Sequence, residues 1–177
     1  TTAPPPPREV DPLQAALTRA QERRQECVSL LRQRTAAVVA LDWQQVERLA
    51  NRYLQTCKGV HDPEIFADGH YDLAIAYMSL GNAKAALLDC EACIDLDYAS
   101  PGCHVRKAQA LLDLGRPLEA RLALDIAETL VIHSIAVVER ELERASDSSE
   151  RELNVAKLRF LRVLKNFVDA LRPRVAR

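Results

Sequence analysis

Glycine, aromatic residues and strand-like alternation are all scarce in this chain. Of 177 residues only 5 are glycine, and aromatics make up 5%. Alanine and leucine, both strong helix formers, are abundant instead. Few breakers and no period-two runs exclude a sheet-based fold and point to helices. No apolar run reaches the ~20 residues that a membrane span needs. No G-x-S-x-G, H-E-x-x-H or glycine-rich phosphate loop occurs, so catalysis, a cofactor and a metal are not expected. Disorder is excluded for most of the chain, because 48% of it is apolar. There are 5 cysteines, an odd number in a chain too long to depend on disulfides. That usage predicts reduced thiols and a cytoplasmic protein, with the nucleus as the other compartment of the same chemistry.

Charge has no overall bias, the net being -1. Locally it is uneven. Residues 42–103 carry ten acidic and four basic side chains, whereas residues 151–177 carry eight basic and two acidic. Such asymmetry can steer a partner, or it can be two solvated faces. Residues 1–10, TTAPPPPREV, hold no apolar stretch of the signal-peptide kind and read as a fragment start. Their prolines favour an extended lead-in.

Seven helices are predicted. Asp11 and Pro12 open the first, which nothing breaks before Leu41. Asp42 caps a second, over 43–57. The loop KGVHDP (58–63) precedes a third helix over 64–79 and a fourth over 83–96. Pro101 opens a fifth that ends near Gly115. Pro117 opens a sixth whose apolar stripe continues through Val131, Ile135, Val138 and Leu142 to about 145. In SDSS (146–149), Ser149 has capping-box spacing to Glu152, which starts a last helix that Pro173 ends. The domain reading is a lead-in over 1–10, then one helical domain over 11–177. Within it, 11–57 is a degenerate first pair, 64–98 and 101–132 are repeats, and 133–177 is an extended capping segment.

A period of 34 residues links the middle helices. Leu80-Gly81 recurs as Leu114-Gly115, Ala74 as Ala108, Ala86 as Ala120, and His70 as His104. Small residues let helices approach closely, and glycine permits the turn. This pattern resembles the tetratricopeptide repeat. On that resemblance Ala74 and Ala108 are the small residues of each first helix, followed by Tyr77 and Leu111. Ala86 with Cys93, and Ala120 with Ala127, are those of each second helix. The resemblance implies an all-α, right-handed antiparallel array of helical hairpins closed by a C-terminal capping helix. It is specific over 67–130. Upstream, Trp43 and Val46 stand near the corresponding positions, but Leu41 and Gly81 are 40 residues apart. The proline usual after a repeat is replaced by Tyr98 and Ile132.

The resemblance also implies a function: a non-catalytic adaptor that binds another protein, as a peptide or a helix, in a concave groove lined by each first helix. The expected groove residues are Asp68, Tyr71, Asp72, Ile75 and Ser79, then Arg106, Gln109 and Asp113, with Leu112 between them. Arg106 is expected to hold Asp72 or to meet an acid in the ligand, and Asp72→Lys to weaken the partner without harming the fold. One subclass binds the C-terminal carboxylates of chaperones through Lys, Asn and Arg. Of that pattern only Arg106 is matched, because Asp72, Gly102, Leu31 and Thr35 stand at its other places.

The alternative is self-association through the long terminal helices. The basic last helix, with Arg151, Lys157, Arg159, Arg162, Lys165 and Arg172, would suit acidic lipid or RNA. A solvated capping helix is the preferred reading, so nucleic acid and membrane are not expected partners. Cys90-x-x-Cys93 reads as packing within a helix, since no second such pair exists. His70 and His104 alone make too few ligands for zinc. Ser149, followed by Glu150 and Glu152, suits an acidophilic kinase, with simple capping preferred.

Overall fold

The computed structural model describes residues 11–176, so the proline-rich lead-in over 1–10 lies outside the described residues. Seven α-helices follow one another: α1 Pro12–Val39, α2 Trp43–Thr56, α3 Pro63–Ser79, α4 Ala83–Leu96, α5 Pro101–Asp113, α6 Pro117–Arg144 and α7 Ser148–Val175. Among the described residues there is no strand. Each helix packs chiefly on its neighbours in sequence, and α3 touches α5 as α5 touches α7.

Local chemistry explains the helix starts. Asp11 Oδ1 accepts from Leu13 N at 3.0 Å, Asp42 Oδ1 from Gln45 N at 3.0 Å, and Asn82 Oδ1 from Ala85 N at 3.2 Å. Each satisfies a backbone donor that the helix itself leaves free. Proline opens α1, α3, α5 and α6, where its missing N–H costs nothing.

The three hairpin turns are alike. Asn82 N bonds Tyr77 O at 2.7 Å, Arg116 N bonds Leu111 O at 2.8 Å, and Asp42 N bonds Ala37 O at 3.1 Å. All three reach back five residues, the 6→1 bond of the Schellman pattern. Its left-handed position is Gly81 at φ 78° and Gly115 at φ 71°, but in the first pair it is Leu41 at φ 56°. A leucine there is strained and 65% exposed, with no burial to offset it. Leu41→Gly is therefore expected to stabilise the chain by about 1 kcal/mol, read as a higher urea midpoint with an unchanged slope.

Packing follows the repeat. Ala74, Ala86, Ala108 and Ala120 are all fully buried where helices meet. The largest core joins α4, α5, α6 and α7 through Leu87, Val105, Leu111, Leu124, Val131 and Val168. A second joins α1, α2 and α3 around Val46, Leu49 and Tyr53. A small third one, Val138, Leu158 and Leu161, lies between the far ends of α6 and α7.

The structure departs from expectation in three places. First, Pro173 does not end α7, which runs on to Val175. Proline removes one bond from a helix, but Val175 is only 7% exposed in the main core and holds the last turn down. Second, the cap of α7 is Asp147, not Ser149. Asp147 Oδ1 accepts from Glu150 N at 2.8 Å, a cap set two residues earlier, and Glu150 Oε2 accepts from the N–H of Ser146, just before the cap, at 3.2 Å.

Third, the cysteines are not all reduced thiols. Cys27 on α1 is bonded to Cys57 at the end of α2, and Cys93 on α4 to Cys103 on α5. Folding brings their Cα atoms to 5.6 and 6.2 Å, distances that a disulfide spans. Only Cys90 is free, and burial pushes its thiol up to about 12. Disulfides persist in oxidising surroundings, so cysteine usage does not speak for a cytoplasmic location.

Candidate functional site

The first helices of successive pairs are tied together by side chains along one face. Asp68 and Asp72 lie one turn apart on α3. Opposite them, on α1, is Arg34, whose Nε stands 2.8 Å from Asp72 Oδ2. The Arg34 side chain is 4% exposed and that of Asp72 16%. Nε is close enough for an ion pair but not aimed for a hydrogen bond, and Nη1 has no hydrogen-bond partner at all. The guanidinium instead lies over the Tyr53 ring, 4.7 Å from its centre. Gly69 makes room for it: a Cβ there would stand 3.2 Å from Arg34 Nη1 and 2.9 Å from Leu54 Cδ2.

Beside them is an open cavity of about 210 Å³, lined by Arg34, Thr35, Val38, Asp68 and Asp72. Burial pushes the Asp72 carboxyl up to about 6. Arg34 pulls it back in part, and Asp68 adds to the rise. Asp68, though exposed, is raised too, by partial loss of water around its carboxyl and by Asp97, against the pull of Arg34.

Between α3 and α5 the link is Tyr71. Its ring lies over Gly102, where a Cβ would come within 3.0 Å of Tyr71 Cε2. Burial raises its hydroxyl, and the neighbouring Arg106 lowers it again. Arg106 Nη1 donates to Gln109 Oε1 at 2.9 Å, and its guanidinium lies 4.9 Å from the centre of the Phe167 ring on α7. Arg106 Nε is buried without a partner. Further along, Asp113 accepts from Arg174 of α7 at 3.2 Å. Ile75 is half-buried and Ser79 is exposed.

The sequence-derived set is therefore not one cluster. Asp68 and Asp72 share the α1–α3 cavity, Tyr71 and Arg106 meet between α3 and α5, and Asp113 belongs to the α5–α7 edge. The expectation that Arg106 holds Asp72 is corrected: Arg34 does so, its long side chain reaching from α1 to α3, while Arg106 is drawn to Gln109 and Phe167. Because Arg34 lies beside Asp72, Asp72→Lys would set two cations together, and it is expected to lower the melting temperature of the chain. Arg34, Gly69 and Phe167 were missed. Arg34 had a legible signal, since it continues the buried spacing Cys27, Leu30, Ala37 on α1.

The histidines point elsewhere. His70 Nδ1 bonds Asp89 Oδ1 at 2.8 Å, and His104 Nε2 bonds Tyr98 O at 3.0 Å. Among the described residues no group of three or more His, Cys, Asp or Glu is placed to hold a metal ion.

No model of a known protein family matches the chain, and no curated protein matches its sequence. Among solved structures, the chain is similar to the TPR2B domain of yeast Sti1 in its complex with pHsp70. The two share 19% identity and a TM-score of 0.52, over 84% of this chain and 98% of that one. The likeness is one of fold, and with the seven-helix order it shows that this chain folds as a tetratricopeptide-like helical array.

Proposed function

We propose that the chain is a non-catalytic interaction module that holds a peptide or helix of another protein along α1, α3 and α5. The observation that carries this is the cavity between α1 and α3. It combines two carboxyls with a buried arginine whose Nη1 lacks an acceptor. A buried donor without a partner costs free energy, and a ligand that supplies an oxygen would recover it. The open carboxyl of Asp68 would take a basic side chain or donor from the same ligand. The Sti1 domain of this fold is itself in a complex with pHsp70, which supports a chain segment as the kind of ligand. This chain keeps only Arg106 of the chaperone-tail pattern, so a tail with a bare carboxylate is not the ligand proposed.

Asp68 is the residue to test, being exposed and free of any ion pair among the described residues. Peptides selected from a random display library against the wild-type chain should bind the Asp68→Lys variant about 10-fold or more weakly. Leu88→Glu, on an exposed site of α4, should leave them unchanged. Equal binding to wild type and Asp68→Lys would end the groove reading.

A further inference from the structure

The 34-residue repeat places a histidine twice, and only the first has a partner on the next helix. His70 of α3 bonds Asp89 of α4 through Nδ1, at 2.8 Å. The residue 34 places after Asp89 is Ala123 of α6, whose side chain offers neither donor nor acceptor. His104 of α5 turns its Nε2 to the Tyr98 carbonyl instead, at 3.0 Å. A carbonyl only accepts, so Nε2 carries the ring proton and Nδ1 is left with a lone pair. Among the described residues that Nδ1 has no hydrogen-bond partner. Burial holds the ring below the usual histidine range, against the Tyr98 carbonyl that raises it, so the ring is neutral at pH 7.

A half-open cavity of about 280 Å³ lies where the counterpart of Asp89 is missing. His104, Leu111 and Ala123 are its buried lining, Ile94 and Ile126 are half-buried, and Tyr98 and Leu122 stand 63 and 65% exposed. Its two charged members are already matched: Lys107 meets Glu91 at 3.1 Å, and Glu119 meets Arg116 at 2.6 Å. The lining therefore suits a neutral, apolar group with one hydrogen-bond donor. A second cavity, of about 370 Å³, shares Tyr98 and Ile126 and continues along α6 beside Asp125, Thr129 and Leu130.

We infer that this cavity receives a tyrosine or tryptophan side chain of a partner protein, whose O–H or N–H donates to His104 Nδ1. Size and continuity decide the source. Sites for free ligands run from roughly 300 to 1,000 Å³, and this one falls below them. The adjoining cavity gives the residues that flank the anchor a place along α6. Tyrosine and tryptophan combine an apolar body with one polar tip, and they dominate the anchors of interfaces. The chain has no such side chain of its own to spare. Residues 1–10 contain neither type. Among the described residues Tyr98 alone of the two types is exposed, and it already lines the cavity. The site shares no residue with the α1–α3 cavity, and neither reading needs the other.

The test uses the full chain and a glycine–serine peptide with one central tryptophan. A twin carries 3-benzothienylalanine, in which sulfur replaces the indole N–H. In NMR of the labelled chain the tryptophan peptide should shift His104, Ala123 and Ile126. The twin should bind about 3-fold or more weakly, for want of one hydrogen bond. Ala123→Asp restores the carboxylate of the preceding repeat and should weaken the tryptophan peptide by about 10-fold or more. Leu122→Asp, at an exposed position, should weaken it as well with an unchanged melting curve. Asp68→Lys should leave this peptide's affinity unchanged. The site is refuted if no shift appears at the cavity, if peptide and twin bind alike, or if both α6 variants bind normally. Free indole binding as tightly as the peptide would overturn it in favour of a small-molecule site. A doubled solution mass that Leu122→Asp returns to the monomer would do so in favour of self-pairing.

Discussion

Arg34→Ala is expected to cost about 3 kcal/mol of stability at pH 8 and clearly less at pH 5. Two effects add at high pH. The variant loses the packing of the guanidinium on Tyr53, and it leaves the Asp72 carboxylate in a buried site without its cation. The pH dependence follows from the proton on Asp72. In the folded wild type that carboxyl titrates near 6, above its value in an unfolded chain. The folded state therefore holds the extra proton between about pH 4 and 6. The stability from that proton is complete below the unfolded value and is lost as pH rises through the folded one. Without Arg34 the folded value climbs further, so the loss extends to higher pH. Denaturant titrations of both proteins at pH 5 and pH 8 measure this. A cost that is the same at both values would mean that Arg34 and Asp72 do not sense each other.

Replacing Cys27 and Cys57 together by alanine is expected to cost about 3–4 kcal/mol. The bridge closes a sequence separation of 30 residues, which restricts the unfolded chain far more than the folded one. The bridge from Cys93 to Cys103 spans only 10, so its removal should cost less, about 2–3 kcal/mol. Reductant should reproduce both losses in the wild type. Alkylation of the unfolded, unreduced chain should label Cys90 alone, the one free thiol in the structure. Labelling of every cysteine, with no effect of reductant on the melting temperature, would return the chain to the reduced state that its composition suggests.

The fold was legible because its signals are local. The 34-residue period, the turn glycines and the N-cap aspartates each act within a few residues, and the array adds pairs one after another. Leu41 disguised the first turn by holding a glycine's conformation. The cysteine pairs were illegible, since spacing alone cannot say which helices will lie together. The groove was half legible. Helical periodicity placed Asp68 and Asp72 on one face, but the partner of Asp72 comes from a helix 38 residues earlier in the chain. No repeat pattern marks that arginine, because the first pair departs from the pattern. What marks it is an arginine on the buried row of α1.

The groove is tested most directly by residue-resolved NMR of the labelled chain titrated with a library-selected peptide. The largest shifts are expected at Asp68, Ile75, Ser79, Gln109 and the side chain of Arg34, with slower hydrogen exchange at the Arg34 guanidinium once its free Nη1 finds an acceptor. Shifts confined to the outer face of α4 and α6, with Arg34 unmoved at saturation, would contradict the groove.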